Sequence, residues 1–125
     1  MEVLAGRVLI HPTDIARSTA FYRDVLGLAV FREFPGGTVF FLGGCYLEVS
    51  SRAAGPPDGG VQLWMQVRDL AAVHGQLAAL GVTVLREPRR EPWGLDEMWI
   101  ADPDGLRIVV VEVPPEHTMR RDPRS

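Results

Sequence analysis

The chain carries the same local grammar twice, and this repetition constrains its fold more than any other feature. The first copy is Asp14 to Gly27, DIARSTAFYRDVLG, and the second is Asp69 to Gly81, DLAAVHGQLAALG. In each, an aspartate stands where its carboxylate can accept from the free N–H groups of a first helical turn, and a glycine stands where a chain leaves a helix. Between them, Ile15, Ser18, Phe21, Tyr22 and Val25 share one helical face in the first copy, and Leu70, Val73, Leu77 and Leu80 share one in the second. The caps are 55 residues apart (69 − 14) and the glycines 54 (81 − 27). An offset kept over half the chain marks an internal repeat.

The flanking segments repeat as well. Strand-like runs precede the caps at Arg7 to His11 and Val61 to Val67, and follow the glycines at Leu28 to Phe34 and Val82 to Leu85. Thr38 to Leu42 and Cys45 to Ser50 complete the first half, punctuated by Pro35-Gly36-Gly37 and Gly43-Gly44. Leu95 to Ala101 and Leu106 to Val113 complete the second, around the turn Asp102-Pro103-Asp104-Gly105. The expected fold is α+β, with two βαβββ repeats at about residues 6–50 and 61–113, mixed sheets and one main helix per repeat. Ser51 to Gly60, SRAAGPPDGG, is the expected linker, and residues 114–125 are the expected polar tail. A half of this size cannot bury both faces of a four-stranded sheet, so the two sheets are expected to enclose a cleft, within one chain or by exchange between two. The whole is expected to be a single domain.

Composition narrows the function classes. A net charge of −3, with basic residues scattered apart from Arg89-Arg90 and Arg120-Arg121, offers no polycation for nucleic acid. The lone Cys45 excludes a disulfide framework and a multi-cysteine metal site, and fits a reducing compartment. Met1 to Arg7 has no basic segment leading into an apolar run, and no stretch approaches the roughly 18 apolar residues of a membrane span. The expectation is a cytoplasmic protein that is neither secreted nor membrane-bound.

The run Asp14…Ser18…Phe21-Tyr22…Leu26-Gly27-Leu28, together with Asp102-Pro103-Asp104-Gly105 before the last strand, resembles the vicinal oxygen chelate superfamily. That group includes glyoxalase I, extradiol dioxygenases, fosfomycin-modifying thiol transferases, methylmalonyl-CoA epimerase and the metal-free bleomycin-resistance proteins. The resemblance runs over residues 7 to 113 and implies a glyoxalase-like cleft with four ligand positions for a divalent metal, one on each of four strands. Counted from the shared motifs, these fall on Arg7, Glu48, Gln62 and Val109. A hard cation wants several oxygen or imidazole donors, and this set supplies one carboxylate and one amide. Arg7 has no acceptor lone pair and stays charged. No metal and no other cofactor is therefore expected, and Arg7 is expected to take the cationic role and pair with Glu48.

Several further residues are candidates for ligand binding. His11 and Leu9 share the strand parity of Arg7, and His11 is a candidate proton carrier or, alternatively, a strand-end histidine bonded to backbone beside Pro12. Gln62, Trp64 and Gln66 give one strand face a polar, aromatic, polar pattern. Tyr46, Trp93 and Met98, with Trp99 as a further candidate, supply apolar walls for a small-molecule site or, alternatively, a dimer interface. Cys45 reads as an inert thiol, and His74 and His117 do not read as ligands.

Two functions follow. One is a metal-independent binder of an aromatic or drug-like small molecule, of the glyoxalase/bleomycin-resistance type and homodimeric. The alternative is an enzyme of the same superfamily, a lyase, isomerase or dioxygenase with an atypical metal site or with Glu48 as catalytic general base. An interaction domain with a vestigial cleft is a third option.

Overall fold

Asp14 and Asp69 each cap a helix, in the same way. In this computed structural model, which describes residues 1–2, 4–51 and 61–117, a carboxylate oxygen of Asp14 accepts from the Arg17 N–H at 3.0 Å, and one of Asp69 from the Ala72 N–H at 3.0 Å. Helix α1 spans Ile15–Ala20 and runs on into a π-helical turn, Phe21–Val25, closed by the Leu26 N–H on the Phe21 carbonyl. Helix α2 spans Leu70–Ala79. Gly27 and Gly81 leave the helices at φ 72° and 75°, a conformation that costs a residue with a Cβ far more than glycine.

The strands are β1 Arg7–Ile10, β2 Val30–Phe34, β3 Gly37–Leu42 and β4 Cys45–Ser50, then β5 Gln62–Gln66, β6 Val84–Arg90, β7 Asp96–Ala101 and β8 Arg107–Glu112. They form two mixed sheets with one wiring, β1-β4-β3-β2 and β5-β8-β7-β6. In each, the first strand of the repeat lies parallel to the last, and the others are antiparallel. The two βαβββ modules are thus as expected, with the helix supplying the crossover that parallel pairing requires.

The chain divides into two compact units. Among the described residues, the first holds the chain up to Val61 and the turn Asp102–Leu106; the second holds Gln62–Ala101 and the residues from Arg107 to His117. In the first, Tyr22 is fully buried beside Phe40, ring centres 6.2 Å apart, and Ile10, Leu47 and Val49 complete the core on that side of the sheet. The Tyr22 hydroxyl donates to Asp102 Oδ2 at 2.9 Å, while Asp102 Oδ1 accepts from the Asp104 and Leu106 N–H groups at 2.9 and 2.8 Å. Asp104 in turn accepts from the Thr13 hydroxyl and N–H and from the Ser18 hydroxyl. In the second unit, Leu70 and Leu77 of α2 are buried with Leu63, Met98, Ile100, Ile108 and Val110.

Four expectations need correction or fall outside. Strand β2 begins at Val30 rather than Leu28, because the Leu28 N–H still caps the helix, on the Tyr22 carbonyl. Strand β6 runs on to Arg90 instead of stopping at Leu85. Pro88 is tolerated there because β6 is an edge strand with two register shifts against β7. Leu80 does not join the apolar stripe of α2; its backbone has left helical geometry and the side chain is 57% exposed. Residues 52–60 of the expected linker and 118–125 of the expected tail lie outside the described residues.

Candidate functional site

Register decides which side chains share a face, because directly paired residues and those two apart point the same way. In the first sheet Arg7 stands opposite Tyr46, and Tyr46 opposite Phe41; Leu9 stands opposite Glu48, and Glu48 opposite Val39. These residues and Ser50 therefore look away from α1, while Val8, Leu47 and Phe40 look toward it. On this far face the structure brings together Arg7, Leu9, Tyr46 and Glu48.

Glu48 is completely buried. Its Oε1 accepts from Arg7 Nη1 at 2.9 Å and its Oε2 from the Ser50 hydroxyl at 2.7 Å. The Arg7 side chain is 30% exposed, and its guanidinium lies 5.8 Å from the Tyr46 ring centre. His11 follows β1, partly buried, and its Nδ1 has no hydrogen-bond partner among the described residues, so the alternative of a backbone-bonded imidazole finds no support at that nitrogen.

Two aromatic residues of this face escaped the sequence reading. Phe31 packs 4.7 Å from Tyr46 and 5.2 Å from Phe41, and Phe41 lies 5.7 Å from Tyr46. Phe41 was findable, since a two-residue Gly43-Gly44 turn sets it opposite Tyr46. Phe31 was not. It is the extra residue of a β-bulge between Val30 and Arg32, and a bulge breaks the parity from which a strand's faces are read.

In the second sheet Gln62 stands opposite Arg107, Trp64 opposite Val109, and Gln66 opposite Val111. Trp99 continues the Trp64–Val109 row and Arg86 ends it. Gln62, Trp64 and Gln66 are all exposed on this far face. Met98 is not on it. One residue out of phase with Trp99 and paired with Val110, it is wholly buried on the α2 side, so it belongs to the core and not to a ligand wall. Trp93 sits in the β6–β7 loop, exposed, with its indole N–H on Glu97 Oε2 at 2.8 Å and its carbonyl 3.0 Å from His117 Nε2. Arg86 and Arg107, which the sequence reading passed over, both lie against the Trp99 ring, at 3.8 and 4.4 Å from its centre. Cys45 is partly buried, with its thiol toward the Leu42 carbonyl.

The sequence model of the Glyoxalase/Bleomycin resistance protein/Dioxygenase superfamily matches residues 5–110. The chain belongs to that superfamily. Structures of the superfamily's fold align over nearly the whole chain. A lactoylglutathione lyase from Agrobacterium tumefaciens is 24% identical with a TM-score of 0.70, over 90% of this chain and 94% of the other. A glyoxalase-related enzyme from Fulvimarina pelagi is 22% identical with a TM-score of 0.74, over 91% and 90%. A glyoxalase/bleomycin resistance protein/dioxygenase from Nocardioides is 18% identical with a TM-score of 0.74, over 93% and 87%. At these identities the likeness carries the fold and not the activity. No curated protein matches the chain.

The superfamily's metal positions can be tested within each unit. The paired wiring makes Arg7 equivalent to Gln62, each opening its module, and Glu48 to Val109, each on the neighbouring parallel strand. Neither pair suits a hard cation: Arg7 holds Glu48 in an ion pair, and Val109 has no lone pair to give. Among the described residues no three His, Cys, Asp or Glu side chains gather into a metal-holding group. No helix among them is long and apolar enough to cross a membrane.

Proposed function

We propose that this superfamily member is a metal-independent small-molecule binding protein that takes an aromatic, drug-like ligand on the far face of a sheet. The observation that carries the reading is the Arg7–Glu48 ion pair, which fills two of the family's ligand positions with a cation and anion that satisfy each other. Beside it on the same sheet, Phe31, Phe41 and Tyr46 form an apolar surface; taken by itself, the second sheet leaves nearly half the area of Trp64 uncovered. Aromatic side chains with a few fixed polar groups are the usual make-up of a small-molecule site. A homodimer and a cytoplasmic setting go with this reading, the second supported by a single cysteine in the chain.

The enzyme alternative assigns Glu48 as general base. A base needs a substrate proton within about 2.6–3.2 Å, directly or through one water. Glu48 is completely buried and its oxygens already accept from Arg7 and from Ser50, so a substrate would have to reach a remaining lone pair through the surrounding packing. Binding without turnover asks for no such step.

Elemental analysis of protein purified without chelator, paired with a fluorescence-monitored titration of an aromatic ligand panel, tests the proposal. Saturable binding that persists in EDTA is the expected result. A stoichiometric divalent ion, or binding that appears only when one is added, overturns it. Sedimentation velocity reads the oligomeric state.

A further inference from the structure

The far face of the second sheet holds more guanidinium than carboxylate. Arg86 is ion-paired with Glu91, but the same carboxylate oxygen lies 3.3 Å from Arg89 Nε, so one anion serves two cations. Arg107 has the Trp99 ring and, among the described residues, no carboxylate partner. Burial first, then the like charge of Arg89, opposed by the Glu97 carboxylate, and then the like charge of Arg107 hold the Arg86 guanidinium below its ordinary value.

The surroundings of Arg107 are those of a recognition corner. Directly opposite on β5 is Gln62, exposed, with an amide that makes no side-chain hydrogen bond among the described residues. One row along stands Trp64, 46% exposed, and Trp99 backs the guanidinium at 4.4 Å. A guanidinium lying against an indole has its plane restrained, which leaves its outward N–H fork set for a planar acceptor. Such a fork matches a carboxylate through two parallel charge-assisted bonds, and an adjacent amide N–H adds a third donor.

We propose that Arg107 and Gln62 form an anion subsite that holds the carboxylate of an aromatic acid, whose ring lies on the exposed indole of Trp64. The inference rests on the reading of the far face as a ligand-binding surface and adds the charge of the ligand to it. Its neutral and cationic analogues are discriminated against, because only the acid supplies the countercharge that Arg107 lacks among the described residues.

The test is calorimetric titration of the full chain with 2-naphthoate and 2-naphthamide, which share a ring system and differ in charge. Wild-type protein should bind the acid about ten- to hundredfold more tightly, the range expected of a charged hydrogen bond. Arg107→Gln should bring the two affinities within about threefold of each other by weakening the acid alone. Gln62→Ala, a change at an exposed and unbonded side chain, should narrow the preference by a smaller factor without touching the fold, and keeps the test decisive if Arg107→Gln does not fold. Equal binding of acid and amide by wild type overturns the anion subsite and leaves the ligand-binding surface standing. A preference undiminished in every variant that folds places the anion elsewhere and also overturns it. Failure of wild type to bind either compound removes the ligand-binding reading itself, and the subsite with it.

Discussion

Arg7 and Glu48 meet diagonally across a parallel ladder: Arg7 is in register with Tyr46 and Glu48 with Leu9, yet Nη1 and Oε1 lie 2.9 Å apart. The side chains reach along the strands to make a contact the backbone pairing does not impose. The long arginine bridges the stagger, itself partly exposed while the carboxylate it reaches is wholly buried.

Removing one member of a buried pair costs ~3–5 kcal/mol, because the partner's charge stays behind. With Arg7 30% exposed, Arg7→Met should cost less, about 1–3 kcal/mol, by urea denaturation. The double change Arg7→Met with Glu48→Leu should recover most of that loss. If the double variant is as unstable as the sum of the single changes, the two groups are not coupled.

The Tyr22 phenol titrates well above its usual value, raised first by burial and then by the charge and hydrogen bond of Asp102. An unfolded tyrosine ionises near pH ~10, the folded one much later, so the proton stabilises the native state below that pH. This contribution should fade as pH rises past ~10. Tyr22→Phe should lose about 1.5–3 kcal/mol at neutral pH, the value of a hydrogen bond to a charged group, and should show a shallower fall of stability in alkali. Thermal unfolding of both proteins from pH 7 to 11 reads the difference; parallel curves sink the assignment.

Asp14 and Asp69 occupy equivalent caps, so Asp14→Ala and Asp69→Ala should cost similar amounts, about 1 kcal/mol each. The corresponding asparagine changes should cost little, since the side-chain oxygen is kept. Chemical denaturation midpoints would expose any asymmetry, and a cost in one module alone contradicts the equivalence.

Two glycines should respond to alanine in opposite directions. At Gly37 a Cβ would sit 2.4 Å from Ser50 Cβ, 2.8 Å from Phe34 Cζ and 2.9 Å from the Val49 carbonyl, so Gly37→Ala should destabilise by about 1–3 kcal/mol. At Gly75, inside α2, a Cβ meets nothing within 4 Å, and Gly75→Ala should stabilise by about 0.5–1 kcal/mol. Melting temperatures of the two variants on opposite sides of wild type are the expected outcome.

The order of elements was legible because its determinants are local. Asp14, Gly27, Asp69 and Gly81 each act within a few residues of themselves, and the sequence reading placed both helices and all eight strands near their observed positions. The Arg7–Glu48 contact was legible for a different reason: an arginine and a glutamate at neighbouring family positions leave few other ways to balance a buried charge. What failed depended on non-local geometry. Met98 and Trp99 are adjacent in sequence, and only the β7–β8 register tells which one faces α2. The bulge at Phe31 and the irregular edge at Pro88 are settled by pairing with another strand. Arg86 and Arg107 are 21 positions apart (107 − 86) and meet at one ring only because three strands align.

The identical wiring of the two sheets makes each module a natural control for the other. At one address the scaffold carries an arginine and a glutamate; at the equivalent address it carries a glutamine and a valine. One strand order accommodates both, so the far face can be rewritten without redrawing the blueprint. The protein can therefore be treated as a two-slot chassis, in which chemistry moved from one slot to the other reports what each slot permits.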